Sequence, residues 1–310
     1  MPATMLLLGG HGFLGSHLLA AAREDGLEVV PASRGGREDA PACDLLDSAS
    51  IDACLKAVRP DLIVNAAGAA SVGRSWEQPA EAFAINATGV LNLLEAVAGG
   101  APAAHVLCIS SADVYGARGG QELPLAEDLE PRPITPYGGS KAAMEVLCGQ
   151  YARAHGLRIA IARPFNLIGP GQSAQFAVAG FARRVAEAER AGDAGVELTL
   201  GNPGAVRDFT DVRDGARALL ELSQQGIEGT FNLCSGTGMT IAALVEELAG
   251  AARVPVSVRR DPSLARPADP PALVGDPGRL REATGFVPGI PLPRTLADLL
   301  EGWRAAGASA

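Results

Sequence analysis

The sequence predicts an α/β fold built on a parallel sheet covered on both faces. Short, largely apolar runs recur through the first half of the chain, at Met5–Leu8, Glu28–Pro31, Leu62–Asn65, His105–Ser110 and Arg158–Arg163. Helical stretches lie between them at about 13–25, 48–58, 79–98 and 140–155. Strands without a polar side belong in a sheet buried on both faces, and helical crossovers return the chain between parallel neighbours. A third observation is Gly9-Gly10-His11-Gly12-Phe13-Leu14-Gly15, which sets glycines at a GxxGxxG spacing between the first strand and the first helix. Together these predict a Rossmann-like doubly wound parallel sheet.

The first strand stops at Gly9, and Phe13, Leu14, Leu18 and Leu19 then fall on one side of a helix. Gly9, Gly12 and Gly15 let the backbone turn sharply and approach a pyrophosphate, which the helix N-terminus stabilises. Glycine spacing alone also fits a plain turn. The strand–turn–helix context favours a dinucleotide, with Phe13 and Leu14 beside it. The second strand ends in Ser33-Arg34, where an acid would bind the ribose hydroxyl of NAD. Arg34 can pair with a 2′-phosphate, so NADPH is expected over NAD; the alternative is a solvated loop arginine. Asp44-Leu45-Leu46-Asp47 follows a possible third strand. Asp44 and Leu45 could hold and flank an adenine, or Asp47 or Ser48 could simply cap the next helix. The Leu62 strand ends in Asn65-Ala66-Ala67-Gly68, small residues that suit close approach of a cofactor or tight helix packing.

The fourth strand leads into Ser110-Ser111-Ala112-Asp113-Val114-Tyr115-Gly116. A hydroxyl at the carboxyl end of a strand is placed to hydrogen-bond a substrate carbonyl in an open α/β sheet, or to close a turn. Tyr137-Gly138-Gly139-Ser140-Lys141 then sets a phenol and an ammonium four residues apart, one helical turn on one face. A nearby Lys⁺ is expected to lower the phenol's pKa toward neutrality and fit it for proton transfer. Of the 26 basic residues only Lys56 and Lys141 are lysine. Arginine is too basic and too broad to replace a compact ammonium at such a site.

Composition narrows the partners. A formal net charge of −9 argues against nucleic acid or an anionic membrane as the main partner. The five cysteines are widely spaced without a CxxC, and the four histidines lack ligand spacing. Reduced thiols in a cytoplasmic protein without a metal site are expected. No signal peptide or membrane span is expected. The helices near 79–98 and 140–155 are apolar around much of their circumference, more than one buried face requires.

After Pro164 the rhythm loosens into shorter elements separated by Pro/Gly-rich segments, while Thr230–Cys234 reads as a strand that returns to the sheet. The expected organisation is a dinucleotide-binding domain over about 1–165, with return elements near 205–235. A smaller interleaved C-terminal α/β substrate domain would occupy about 166–310.

The glycine turn, the Ser strand end and Tyr-x-x-x-Lys occur in the order of the extended short-chain dehydrogenase/reductase family, which the chain resembles over essentially its whole length. Arg163-Pro164-Phe165-Asn166, Gly169-Pro-Gly-Gln172, Arg207-Asp-Phe-Thr-Asp-Val-Arg213 and Arg266-Pro-Ala-Asp269 occur in order as well. They resemble the branch that reduces nucleotide-diphospho-4-keto-6-deoxyhexoses carrying GDP or dTDP. The resemblance implies catalysis by Ser111, Tyr137 and Lys141, and Ser111 is taken over Ser110 because it lies four residues before Tyr115. It implies cofactor contacts from Gly9, Gly12, Phe13, Leu14, Gly15, Ser33, Arg34, Asp44, Leu45, Ala66, Ala67, Gly68, Tyr137, Lys141 and Pro164. It implies a nucleotide-sugar site formed by Ser111, Asp113, Asn166, Arg207 and Arg266. Two separated arginines can clamp a diphosphate in an otherwise acidic chain, or serve structural ion pairs. A homodimer through the two apolar helices is implied too. Related dehydratases carry Asp-Glu after the catalytic hydroxyl, whereas this chain has Ala112-Asp113, which favours ketone reduction over water elimination. A 4-epimerase or 4,6-dehydratase holding NAD, and a non-catalytic dinucleotide sensor, are the alternatives.

Overall fold

The structure is a computed structural model describing residues 3–37, 40–118, 122–264 and 269–308. The chain opens with β1 (Thr4–Leu8), α1 (Phe13–Glu24), β2 (Glu28–Ala32), α2 (Ser48–Val58) and β3 (Leu62–Asn65). Next come α3 (Val72–Glu77), α4 (Pro79–Phe83), a π-helical turn at Ala84–Thr88, and α5 (Gly89–Gly100). β4 (His105–Ile109), a 3-10 turn at Ala112–Tyr115, α6 (Pro136–His155) and β5 (Arg158–Pro164) complete the first half. The second half runs β6 (Asn166–Ile168), α7 (Ala177–Ala191), β7 (Val196–Leu200), β8 (Val206–Asp211), α8 (Val212–Gln224) and β9 (Gly229–Leu233). It ends with β10 (Gly238–Thr240), α9 (Ile241–Gly250), β11 (Val256–Arg260), β12 (Ala272–Leu273), α10 (Gly278–Thr284) and α11 (Leu292–Ala308).

The main sheet has the order β2-β1-β3-β4-β5-β9, and every neighbouring pair is parallel. The doubly wound parallel sheet expected from the sequence is therefore present. Alternate residues of each strand feed opposite cores. Leu6, Leu8 and Ile63 pack with Ile51 of α2, Leu93 of α5 and Met144 of α6, while Met5, Leu7 and Val64 pack with Leu18 of α1 and Leu219 of α8. The chain leaves β1 for β2 on one side and returns to β3 on the other. That reversal opens a crevice at the carboxyl ends of β1 and β3, where ligands of such sheets bind.

The second half builds a separate core from α7, α9 and α11 against β7 and β8, with Val185, Leu198, Phe209, Leu244 and Leu299 at its centre. β9 leaves this region and pairs with β5, as expected.

Three local readings change. No third strand precedes Asp44 among the described residues; that stretch forms only the isolated bridges Ser33↔Ala42 and Arg37↔Ala40. The helix expected from 140 begins at Pro136, because Thr135 accepts the Gly138 amide at 2.9 Å and Pro136 suits the first turn. The helix expected over 79–98 is Pro79–Gly100, interrupted by the π-helical turn. Among the described residues it is the one helix long and apolar enough to cross a membrane, yet half of its most apolar window is buried in the fold.

Candidate active site

The glycine turn is built for close approach. Gly9 has φ +76°, and a Cβ there would lie 2.7 Å from the Ala67 amide. A Cβ on Gly15 would lie 2.0 Å from the Gly9 carbonyl oxygen. The turn is thus folded onto itself and onto Ala66 and Ala67 at the end of β3. Gly12 caps α1 without a side-chain bond, and no acid stands in the first helical turn. Such an N-terminus carries partial positive charge and open amides. A pyrophosphate fits this cradle. Phe13 and Leu14 are half-buried at its start, and Leu14 packs on the core.

Around the crevice the other expected residues divide. Ser33 is held by backbone bonds to Pro41 and Cys43, and Arg34 is exposed with no partner among the described residues. Asp44 accepts the Leu46 amide at 3.0 Å, while Asp47 caps α2 by accepting the Ala49 and Ser50 amides. Leu45 is buried, so it contributes first to the core. Pro164 ends β5 in register with Leu233.

Tyr137, Lys141 and Ser111 come together at the end of β4. Ser111 donates to Asp113 Oδ2 at 3.0 Å and accepts the Asp113 amide at 3.1 Å, and it stands beside the Tyr137 hydroxyl, whose ionised form it favours. Lys141 Nζ donates to the Ile109 carbonyl at 2.7 Å. A Cβ on Gly68 would meet that same amine at 3.3 Å, so the loop after β3 lies against it. Ser110 turns away and donates to Glu145 Oε1 at 2.5 Å, which leaves Ser111 as the hydroxyl beside the tyrosine.

The expected lowering of the tyrosine pKa is not found. Burial pushes the Tyr137 phenol up, the Asp113 carboxylate adds to the rise, and only the Ser111 bond opposes it. Lys141 is itself pulled down to about 8 by burial, opposed by Cys108, Cys148 and Glu145. Sequence spacing shows which groups share a face, but not how deeply both are buried.

Several positioning residues escaped sequence reasoning. Ser75 accepts the Tyr137 amide at 3.1 Å, and Ser140 donates to the Tyr137 carbonyl at 2.7 Å. Asn86, in the π-helical turn, bonds both Ser140 and the Ala69 backbone. A π-turn re-aims a side chain that a regular helix would place elsewhere. The sequence carried only a weak signal, an asparagine in a largely apolar stretch that also holds Asn92. Below these lies a buried network. Arg163 holds Glu145 through two bonds of 2.9 and 2.7 Å and donates to Tyr115, which donates to Asn232 at 2.7 Å. Arg163 sits 4.8 Å over the Tyr115 ring. Burial opposes its charge, but Glu145 and Tyr115 outweigh that and keep the guanidinium above its usual range.

On the second-half side, Asn166 Nδ2 donates to the Asp208 carbonyl at 2.9 Å. Arg207 is largely buried and pairs with Asp269 at 2.5 Å, the ion pair foreseen as its other role. Arg266 lies outside the described residues. Asp208, pushed up by burial, accepts amides from Ser235 and Gly236 and pins the loop after β9 to β8.

A glycine cradle at the switch point and a Ser–Tyr–Lys cluster on the neighbouring strand and helix define a dinucleotide-dependent α/β protein of the short-chain dehydrogenase type. A profile of the NAD dependent epimerase/dehydratase family matches residues 5–234, and the chain belongs to that family. It is 35% identical over 308 residues to GDP-6-deoxy-D-mannose reductase of Pseudomonas aeruginosa, covering 98% of each chain. The solved structure of RMD from Pseudomonas aeruginosa complexed with NADPH superposes with a TM-score of 0.88 at 34% identity, over 98% of this chain and 99% of that one. UDP-glucose 4-epimerase of Thermus thermophilus, solved with NAD, gives a TM-score of 0.85 at 30% identity, over 98% and 99%.

Proposed function

We propose that the protein reduces the C4 ketone of a GDP-linked 4-keto-6-deoxyhexose with NADPH. The observation that carries this reading is near full-length similarity to GDP-6-deoxy-D-mannose reductase, together with the likeness to an NADPH complex. Two features of the chain support it. Arg34 is exposed and without a partner among the described residues, which leaves it open to a 2′-phosphate. Buried Ala112 follows Ser111, so the acid that serves dehydration is missing there.

NADPH, when bound, supplies the hydride to the ketone carbon. The chain's own groups manage the proton and the geometry. Tyr137 is held neutral by its raised pKa and gives its proton to the developing alkoxide. A phenol that stays protonated suits reduction, whereas alcohol oxidation needs the phenolate. Ser111 stabilises the carbonyl oxygen as charge builds on it. Lys141, anchored on the Ile109 carbonyl, would hold the nicotinamide ribose. Gly9, Gly12, Gly15, Ala66, Ala67 and Gly68 would line the cofactor backbone, with Phe13, Leu14, Ser33, Asp44, Leu45 and Pro164 around it. Asp113, Asn166, Arg207 and Arg266 are read as the nucleotide-sugar contacts. Asp269 and the Val206 carbonyl each hold one terminal nitrogen of Arg207 and fix the guanidinium plane, and the remaining N–H groups are read as the contacts to a diphosphate.

We place the cofactor domain at about 1–165 with return elements near 205–235, and the substrate domain at about 166–310; the separate core of α7, α9 and α11 supports the division, while Leu280 and Phe286 near α10 pack on the core of the main sheet. The protein is read as cytoplasmic, consistent with five buried free cysteines. The test is incubation with NADPH and GDP-4-keto-6-deoxymannose, with cofactor loss followed and the product's C4 configuration assigned by NMR. No turnover, with oxidised NAD copurifying and UDP-glucose being epimerised, would replace this reading with the epimerase one. A dTDP-linked ketone turned over in preference would change the base.

A further inference from the structure

Three consecutive residues at the end of β4 are each held by α6. Lys141 takes the Ile109 carbonyl, Glu145 takes the Ser110 hydroxyl, and Tyr137 meets Ser111. Residues 137, 141 and 145 are one turn apart on one helix face, and residues 109, 110 and 111 run along the strand beneath them. From β5, Arg163 grips the same Glu145 carboxylate through two bonds, while the Ser110 amide donates to the Ala162 carbonyl at 2.7 Å. Both side chains of the ion pair are buried, at 5% and 8% exposure. Two charges out of water are costly unless geometry and hydrogen bonding are complete, and here both carboxylate oxygens are used.

We propose that Glu145 is a positioning residue of the reaction: it fixes the strand end through the Ser110 hydroxyl and sets its negative charge beside Lys141, so that Ser111, Tyr137 and Lys141 are presented as one unit. The turnover part of this inference rests on the proposed reduction; the electrostatic part does not. Burial lowers the Lys141 ammonium, and Cys108 on β4, Cys148 and then Glu145 on its own helix oppose that; Glu145 is the carboxylate among them, and it shares its charge with Arg163. Its charge opposes the burial that drives the ammonium toward neutrality.

The chain allows a direct test because it holds only two lysines. Isotope-labelled lysine gives two NMR signals, with Lys56 on α2 as the internal reference. In Glu145→Gln the Lys141 signal should titrate at lower pH than in the parent protein, and in Ser110→Ala, which keeps the Glu145 charge, it should move less. With NADPH and the ketone, Ser110→Ala should lose about tenfold in kcat with KM for both substrates little changed, because the strand end shifts while the binding groups stay. In Glu145→Gln the alkaline limb of kcat/KM should move down with Lys141. An unmoved Lys141 signal in a folded Glu145→Gln, or parent-level kcat in Ser110→Ala, overturns the proposal. If Glu145→Gln does not fold, Ser110→Ala decides, since it leaves the ion pair whole. If the parent protein does not reduce the ketone, the functional reading falls, and the lysine titration still decides whether Glu145 tunes Lys141.

Discussion

At the scale of single residues, Tyr137 is the proposed proton donor, and its hydroxyl is the group whose loss should matter most. Tyr137→Phe should lower turnover by about two to four orders of magnitude while NADPH still binds, as read by steady-state rates and cofactor fluorescence. Near-normal activity would remove the assignment. Arg34→Ala should raise the KM for NADPH about tenfold to a hundredfold and leave that for NADH unchanged, the loss of a charge-assisted contact to one phosphate. Lys141 gives the pH dependence. Its pKa sits near 8, and its charged form is the working one, so kcat/KM should fall as pH rises through about 8. The phenol, pushed the other way, keeps its proton through that range. A rate that climbs steadily through the same window would contradict these roles. Tyr137, Lys141 and Ser111 were legible in the sequence because a helical spacing and a strand end fix their neighbourhood. Glu145, Asn86 and Arg163 were not, because the partners that explain them are far away along the chain. The direction of the tyrosine shift was misread for a related reason. Burial and the Asp113 carboxylate act through space, and spacing within one helix does not reveal them.

Among the elements, the glycine turn and α6 set the site. Gly15→Ala should cost about 1–3 kcal/mol, since a methyl cannot share space with the Gly9 carbonyl, and it should weaken NADPH binding with it. Thermal unfolding with and without NADPH measures both effects, and an unchanged midpoint and affinity would show that the turn can relax. The sheet strands were legible almost to the residue because each is a short apolar run bounded by turn residues. Boundaries failed where a cap overrode composition. The helix was expected from about 140, but Thr135 caps it earlier and Gly138 packs tightly under the Asp113 carbonyl, where a Cβ would come within 2.6 Å. The short run before Asp44 had strand-like composition, and without a continuous neighbour it makes only bridges. The π-helical turn carried no periodic signal at all.

For the molecule as a whole, association follows from what the folded surface leaves exposed. Val146 of α6 is 69% exposed, Phe83 of α4 41% and Trp76 of α3 54%, on three helices packed together. We propose that this face pairs with a second copy, so light scattering should give about twice the 31.6 kDa chain mass. Val146→Asp should shift the protein toward the monomer, and a monomeric mass for the unaltered protein would refute the pairing. The return of β9 to the side of β5 carries a different consequence, one of timing. During synthesis β5 emerges well before residues 229–233, so its backbone groups and apolar side chains wait without their neighbour. At about 5–20 residues per second the wait lasts seconds, long enough for an open strand to meet another nascent chain. Slowed translation between β5 and β9 should therefore lower the yield of native protein more than a pause placed after β9.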